Sequence, residues 1–306
     1  MAASARFSGV FAPVIMPFGP DLSVDADRLA RQCRWLLSQG VGLAVFGTNS
    51  EANSLSVGEK SDLLQRLIEA GIDPERMMPG TGACAIPDAV ELTRQAVRRG
   101  CGGVLMLPPF YYKGVSDEGL FRYYAEVIER VGSRELRIYL YHIPPVAQVG
   151  LSIELIGRLV HAYPQVIAGI KDSSGDWDNT AALLNENWDN FRVFAGSETF
   201  LLRTLRAGGA GCISATANIN PAAIDRLYRE WQSDSADAQQ QSLNDLRDLL
   251  QMHPMIAALK SVVAHFTDDP QWTEVRPPLM PLAGDKRSLL LDELFNLGFE
   301  MAGLAE

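Results

Sequence analysis

The most chemically suggestive residue in this sequence is Lys171, at the end of the apolar run Val166-Ile167-Ala168-Gly169-Ile170-Lys171. Ser173, Ser174 and Gly175 follow as turn residues, so the pattern predicts a buried strand with an amine at its C-terminal end. Burial disfavours the charged form of an amine. A neutral amine attacks a ketone and forms a Schiff base. Taken alone, such a lysine more often closes a strand and carries its ammonium out to water, so its partners decide the matter. Tyr141, near the end of another strand-like run, is placed to move protons to and from a carbinolamine and a substrate hydroxyl. Thr48 and Asn49 follow Gly47, where free backbone N–H groups can hold a carboxylate, and Thr48 could pass a proton to Tyr141. Tyr111 and Tyr112 follow Pro108-Pro109 as an aromatic pair suited to a lid or a subunit contact. Glu51 reads as a charge at a helix start.

Other chemistries find little support. The histidines, His142, His161, His253 and His265, make no metal-ligand spacing, so no metal is expected. No GxSxG elbow is present for a hydrolase triad. Gly80-Thr81-Gly82-Ala83-Cys84-Ala85 imitates a dinucleotide fingerprint, but Cys101–Leu107 supplies no acidic residue for a ribose, so a close strand–helix turn is expected. Asp172, Asp176 and Asp178 lack calcium-loop spacing and read as a solvated helix start. A net charge of -10 argues against nucleic acid and anionic membranes as partners. Cys33, Cys84, Cys101 and Cys212 form no CxxC pair and read as buried free thiols in a reducing compartment. No apolar run approaches the roughly 18 residues of a membrane span, and no leader pattern opens the chain, so a cytoplasmic location is expected.

These side chains need a frame. Eight strand-like runs recur along the chain: Val10–Met16, Gly42–Phe46, Arg76–Pro79, Gly103–Leu107, Arg137–His142, Val166–Lys171, Phe191–Ala195 and Gly211–Ser214. Helix signals fill the intervals. Ser56-Val57-Gly58-Glu59 is a capping box, Pro87 suits a first turn, Ser116 and Ser152 are caps, and Pro221 opens a further helix. Repeated βα units close most economically into a (β/α)8 barrel, with an open doubly wound sheet as the competitor. Residues 1–232 would form the barrel. Residues 233–306 would form a helical appendix packed on it, with helices at Ser233–Gln251, Met255–Phe266 and Lys286–Leu304 and a loop at Pro270–Pro281. In a barrel, active-site groups gather at the C-terminal strand ends, where this chain also carries Gly196-Ser197-Glu198 and Ser214-Ala215-Thr216.

Four motifs in this order carry a resemblance. Gly47-Thr48-Asn49-Ser50-Glu51 is similar to a GTTGE loop, and Tyr139-Leu140-Tyr141-His142-Ile143-Pro144 to a Y-N-x-P strand end. Gly169-Ile170-Lys171-Asp172-Ser173-Ser174-Gly175 is similar to a G-x-K-(D/E)-(S/A)-(S/T)-G motif, and Gly208–Ser214 to a GGxGxIS segment. Over nearly its whole length the chain resembles the class I pyruvate-dependent aldolases typified by dihydrodipicolinate synthase and N-acetylneuraminate lyase. The resemblance implies a (β/α)8 barrel with a C-terminal helical extension, assembled as a homotetramer, a dimer of dimers. It implies that Lys171 forms an imine with pyruvate or another 2-keto acid, with no other cofactor, and that Tyr141 is the general acid and base. Thr48 would link Tyr141 to a tyrosine lent by a neighbouring subunit, Tyr112 or else Tyr111. Thr48 and Asn49, with Gly47, would bind the keto-acid carboxylate, and the backbone at Gly196 and Ile213 would face the substrate.

The departures bear on specificity. Asn49 and Ser50 replace the second Thr and the Gly of the loop motif, and His142 replaces the usual Asn. The stretch Pro145–Gly150 has no arginine, where the synthase uses one to grip the carboxylate of its second substrate. The reading that follows is a lyase that makes or breaks a C–C bond beside pyruvate, for example in a 2-keto-3-deoxy sugar acid. A dehydratase or deaminase using the same imine, the synthase itself, and a non-catalytic keto-acid-binding barrel are the alternatives.

Overall fold

The computed structural model describes residues 6–304. Seven strands form one parallel sheet: β1 (Gly9–Ala12), β2 (Gly42–Leu43), β3 (Val104–Met106), β4 (Ile138–His142), β5 (Ile167–Asp172), β6 (Arg192–Ala195) and β7 (Gly211–Ile213). Their order is β2-β1-β7-β6-β5-β4-β3. The expected strand Arg76–Pro79 is corrected. Asp73 caps a single 3-10 turn, Pro74–Arg76, and only the residues after it are extended. That extended piece nevertheless bridges the two sheet edges. Met78 N–H donates to the Leu43 carbonyl (2.7 Å), Gly80 N–H to Val45 (2.8 Å), and Leu105 N–H to Pro79 (2.9 Å). Eight chain segments therefore close the sheet on itself, as the βα repeat predicts.

The strands are shorter than their apolar runs, for local reasons. Val10–Met16 stops as a strand at Ala12, because Pro13 has no N–H to give the ladder. Ile15 N–H turns instead to the Asn218 side chain (3.0 Å). Gly42–Phe46 shrinks to two residues because Phe46 adopts a left-handed φ of 60°, which bends the chain into the following loop.

Among the described residues there are twelve α-helices: α1 (Ala26–Ser38), α2 (Val57–Glu69), α3 (Ile86–Arg98), α4 (Asp117–Val131), α5 (Pro144–Ala147), α6 (Ile153–Ala162), α7 (Trp177–Asn185), α8 (Leu201–Arg206), α9 (Pro221–Glu230), α10 (Ala236–Gln251), α11 (Met255–Phe266) and α12 (Gly284–Asn296). The caps read from sequence are made. Ser56 and Glu59 exchange side-chain-to-backbone hydrogen bonds at the start of α2, and Ser116 and Ser152 accept from the first turns of α4 and α6. The last helix ends at Asn296 and not at Leu304, since Gly298 takes a φ of 64° and stops it.

Two apolar layers result. Phe11, Leu105, Tyr139, Tyr141, Ala168 and Phe194 fill the barrel interior, while residues on the opposite strand faces pack against the helices. The helices α10, α11 and α12 pack on one another, and α10 also rests on α8 and α9. The cysteine expectation is corrected at one position. Cys33 and Cys212 are buried and Cys101 is half-buried, but Cys84 is exposed; all four are free thiols. Burial pushes the Cys33 and Cys101 thiols up to about 12. Among the described residues, no helix is long and apolar enough to cross a membrane.

Candidate active site

The direction of Lys171 depends on an irregularity in β5. Ile138 pairs with Ile167, but Tyr139 pairs with Gly169, so Ala168 is an extra residue on the β5 side. Ala168 faces the barrel interior, and in an unbroken strand Ile170 would face inward and Lys171 outward. The bulge reverses this. Ile170 packs in the outer layer, and Lys171 pairs in register with Tyr141 on β4, pointing inward beside it.

The contacts that follow are short. Lys171 is 3% exposed, and its Nζ donates to the Tyr141 hydroxyl at 3.3 Å. The same hydroxyl lies 3.1 Å from Thr48 Oγ1. The phenol thus joins the amine to a second hydroxyl in one hydrogen-bonded chain. Thr48 reaches this position because the turn at Phe46 leads into a 3-10 turn, Thr48–Ser50. Ser50 holds the turn by accepting from Gly47 N–H (3.1 Å). Thr48 and Asn49 open that turn, so their N–H groups have no acceptor within it.

These groups lie on one cavity of about 760 Å3. Thr48, Asn49, Tyr141, Lys171 and Gly196 all line it. Gly47 lines a smaller adjoining pocket with Thr48 and Tyr141. Ile213 is fully buried inside the barrel, and Ala215 lines the cavity there instead. Gly196 is required by space, because a Cβ would lie 2.7 Å from both the Asp172 carbonyl oxygen and Ser173 Cα. Tyr111 and Tyr112 are not brought into the cavity by their own chain. They stand on the surface, 74% and 72% exposed, edge to face against each other.

Several residues have roles that sequence reading missed. Ser173 lines the cavity, and its Oγ is buried without a partner. Asp172 is not a solvated helix start, which is a correction. It is buried at the end of β5 and accepts from Ser174 N–H (3.0 Å), Asn179 (3.0 Å) and Thr180 (2.6 Å), so it braces the loop after the lysine. His142 accepts from Leu151 N–H through Nδ1 (2.9 Å), which ties down the far end of the 143–150 loop. Burial pushes the His142 imidazole below its ordinary value, against the pull of Asp172, and keeps Nδ1 free to accept. Glu51, expected as a helix-start charge, is instead fully buried in an ion pair with Lys260 (2.5 Å), and it also accepts from Arg276 N–H (3.0 Å). Glu198 is 1% exposed and accepts from Ser214 and Thr216, with Arg247 at 3.4 Å. No local pattern announces these last two, since their partners are remote in sequence.

The chain has clear relatives among known proteins. Residues 6–295 match the model of the dihydrodipicolinate synthetase family. The chain is 31% identical over 285 residues to an uncharacterized DapA-like lyase of Chloroflexus aurantiacus, covering 92% of this chain and 94% of that one. A crystal structure of dihydrodipicolinate synthase from Agrobacterium tumefaciens superposes with a TM-score of 0.88 at 34% identity, over 94% of this chain and 99% of that one. YagE, a prophage protein of the same family from E. coli K12, crystallised with pyruvate, gives a TM-score of 0.88 at 26% identity, over 97% of this chain and 100% of that one. The chain belongs to the dihydrodipicolinate synthetase family, whose members are lyases of the class I, pyruvate-dependent aldolase type.

Proposed function

We propose that this protein is a pyruvate-dependent aldolase in which Lys171 forms the imine. The observation that carries the reading is the chain Lys171–Tyr141–Thr48, with contacts of 3.3 and 3.1 Å at the wall of the cavity. The Lys171 nitrogen attacks C2 of pyruvate, and the carbinolamine loses water to give the imine. Loss of a C3 proton gives an enamine, and the imine nitrogen holds the electron pair that would otherwise be a carbanion. The enamine carbon then adds to an aldehyde, whose oxygen takes the proton of Tyr141. Water hydrolyses the product imine and frees Lys171. Cleavage runs the same steps backwards. The reaction as written calls on no metal or organic cofactor. A dehydratase or deaminase would share the imine and differ only in the leaving group.

The keto-acid carboxylate is assigned to Gly47, Thr48 and Asn49, where a helical turn begins with free N–H groups. Gly196 and the backbone near Ile213 are assigned to the opposite side. Tyr112, with Tyr111 as the alternative, is assigned to a neighbouring copy's Thr48–Tyr141 chain. Its exposure on an aromatic-bearing loop supports a contact between copies, in a homotetramer. Residues 233–306 act as a helical appendix to the barrel of residues 1–232. Four free thiols suit a cytoplasmic enzyme.

The test is borohydride reduction in the presence of pyruvate, followed by intact-mass and peptide analysis. An adduct on Lys171, with parallel loss of turnover, is the expected result. A protein that binds pyruvate but yields no adduct would be the non-catalytic barrel instead.

A further inference from the structure

Pyruvate would fill only a small part of a cavity of about 760 Å3, and what surrounds the rest is mainly apolar. Ile143 and Val146 stand on the loop after β4, Met255 and Ile256 at the start of α11, and Leu279 and Met280 on the segment before α12. Three of these are conspicuously open: Val146 is 63% exposed, Leu279 37% and Met280 75%. Apolar side chains gathered at the mouth of a cavity indicate what enters it.

Most of the polar groups on this side are engaged, with the Nε of Arg247 buried and unpartnered. Asp172 accepts from three donors. Glu198 is turned inward to Ser214, Thr216 and Arg247 and does not line the cavity. Ser197 and Thr199 bond to each other at 3.0 Å, and Gln251 donates to Asp248. The Arg247 guanidinium, which also lines the cavity, faces the Glu198 carboxylate at 3.4 Å, which offsets its charge. The unpartnered hydroxyl of Ser173 is two residues from Lys171, at the pyruvate end. A polyhydroxylated chain placed here would lose water from several hydroxyls and find few partners.

We propose that the second substrate is an aldehyde with an apolar body, aryl or branched alkyl, and not a polyol or a second carboxylate. The proposal rests on the imine reading above and replaces the sugar-acid example of the sequence analysis. The bond formed joins C3 of the pyruvate enamine to the aldehyde carbon. Tyr141 protonates the aldehyde oxygen, and water releases a 4-hydroxy-2-oxo acid.

One portion of the full-length chain is trapped with pyruvate and borohydride, and an untreated portion is kept for turnover. Pyruvate consumption is then followed with benzaldehyde, D-glyceraldehyde or succinic semialdehyde. The expected kcat/KM for benzaldehyde exceeds that for glyceraldehyde by about tenfold or more, the scale of a buried apolar contact. Met280→Ser, at an exposed position that tolerates change, should raise KM for benzaldehyde several-fold more than for glyceraldehyde. Normal trapping with glyceraldehyde equal or preferred, or with none of the three aldehydes used, overturns this proposal alone. A preference for succinic semialdehyde that Arg247→Gln abolishes also overturns it, and makes Arg247 an anion reader. Failure of trapping overturns the imine reading itself.

Discussion

Two lysines in this molecule are almost equally buried, and they do different work. Lys171 is 3% exposed and Lys260 is 0% exposed. Each amine also lies over an aromatic ring, at 4.3 Å from Tyr141 and 4.6 Å from Phe18. Lys260 is matched by a carboxylate, Glu51, and further by the Glu274 carbonyl. Lys171 has only a phenol as its hydrogen-bond partner, and it borders a cavity. Burial pulls the Lys260 ammonium below its ordinary value, the Glu51 carboxylate opposes that pull, and the pair anchors structure. A phenol can exchange a proton with a buried amine, which is what a nucleophile needs. The Lys260 pair also serves the site indirectly, because Glu51 continues the Thr48–Ser50 turn, and its second oxygen holds Arg276 N–H beside Val275 of the cavity wall.

Lys171→Ala should remove the pyruvate adduct from the intact-mass spectrum and lower turnover to background. Lys260→Met should leave the adduct intact in whatever fraction folds; an adduct lost in both variants would erase the functional contrast. Tyr141→Phe keeps ring and packing but removes the proton carrier, so kcat should fall by about 10² to 10⁴-fold while trapping is partly retained. Full activity in that variant would show that the proton moves by another route. The structural half of the contrast is a stability measurement. Lys260→Met strands the Glu51 charge and should cost about 3–5 kcal/mol in urea unfolding, and adding Glu51→Gln should restore a good part of it. If the single variant is as stable as the parent, the pair is not an anchor.

The smallest effect concerns pH. Arg276, which continues the Glu51 cluster, donates to Glu59 and holds that carboxyl at about 2, below its ordinary 4.5. The folded chain then binds fewer protons than the unfolded chain between these values. The stabilisation is complete above pH 4.5 and is lost as pH falls toward 2. Glu59 is 37% exposed, so solvent screening keeps the contribution below about 1 kcal/mol. Tm measured against pH should fall slightly less steeply in Glu59→Gln over that window, and identical slopes would remove Arg276 from the account.

Local chemistry was enough to find much of this. The lysine-terminated run, the capping box at Ser56 and the alternation of strand and helix signals depend on neighbours within a few residues, and so they were legible in the sequence. So were Tyr141, Thr48 and Asn49, because a barrel sends successive strand ends to one rim. Tertiary structure alone decided what depends on register or on distant partners. The extra residue at Ala168 turns Lys171 inward, and a count of alternation along the strand would have turned it out. Met77–Gly80 closes the ring without a strand of its own, because its hydrogen bonds go to both sheet edges. Glu51 finds Lys260 across 209 residues, and the apolar wall of the cavity is assembled from the β4 loop, α11 and the segment near 280. Such contacts arise from close packing of remote segments, which no local pattern of residue types encodes.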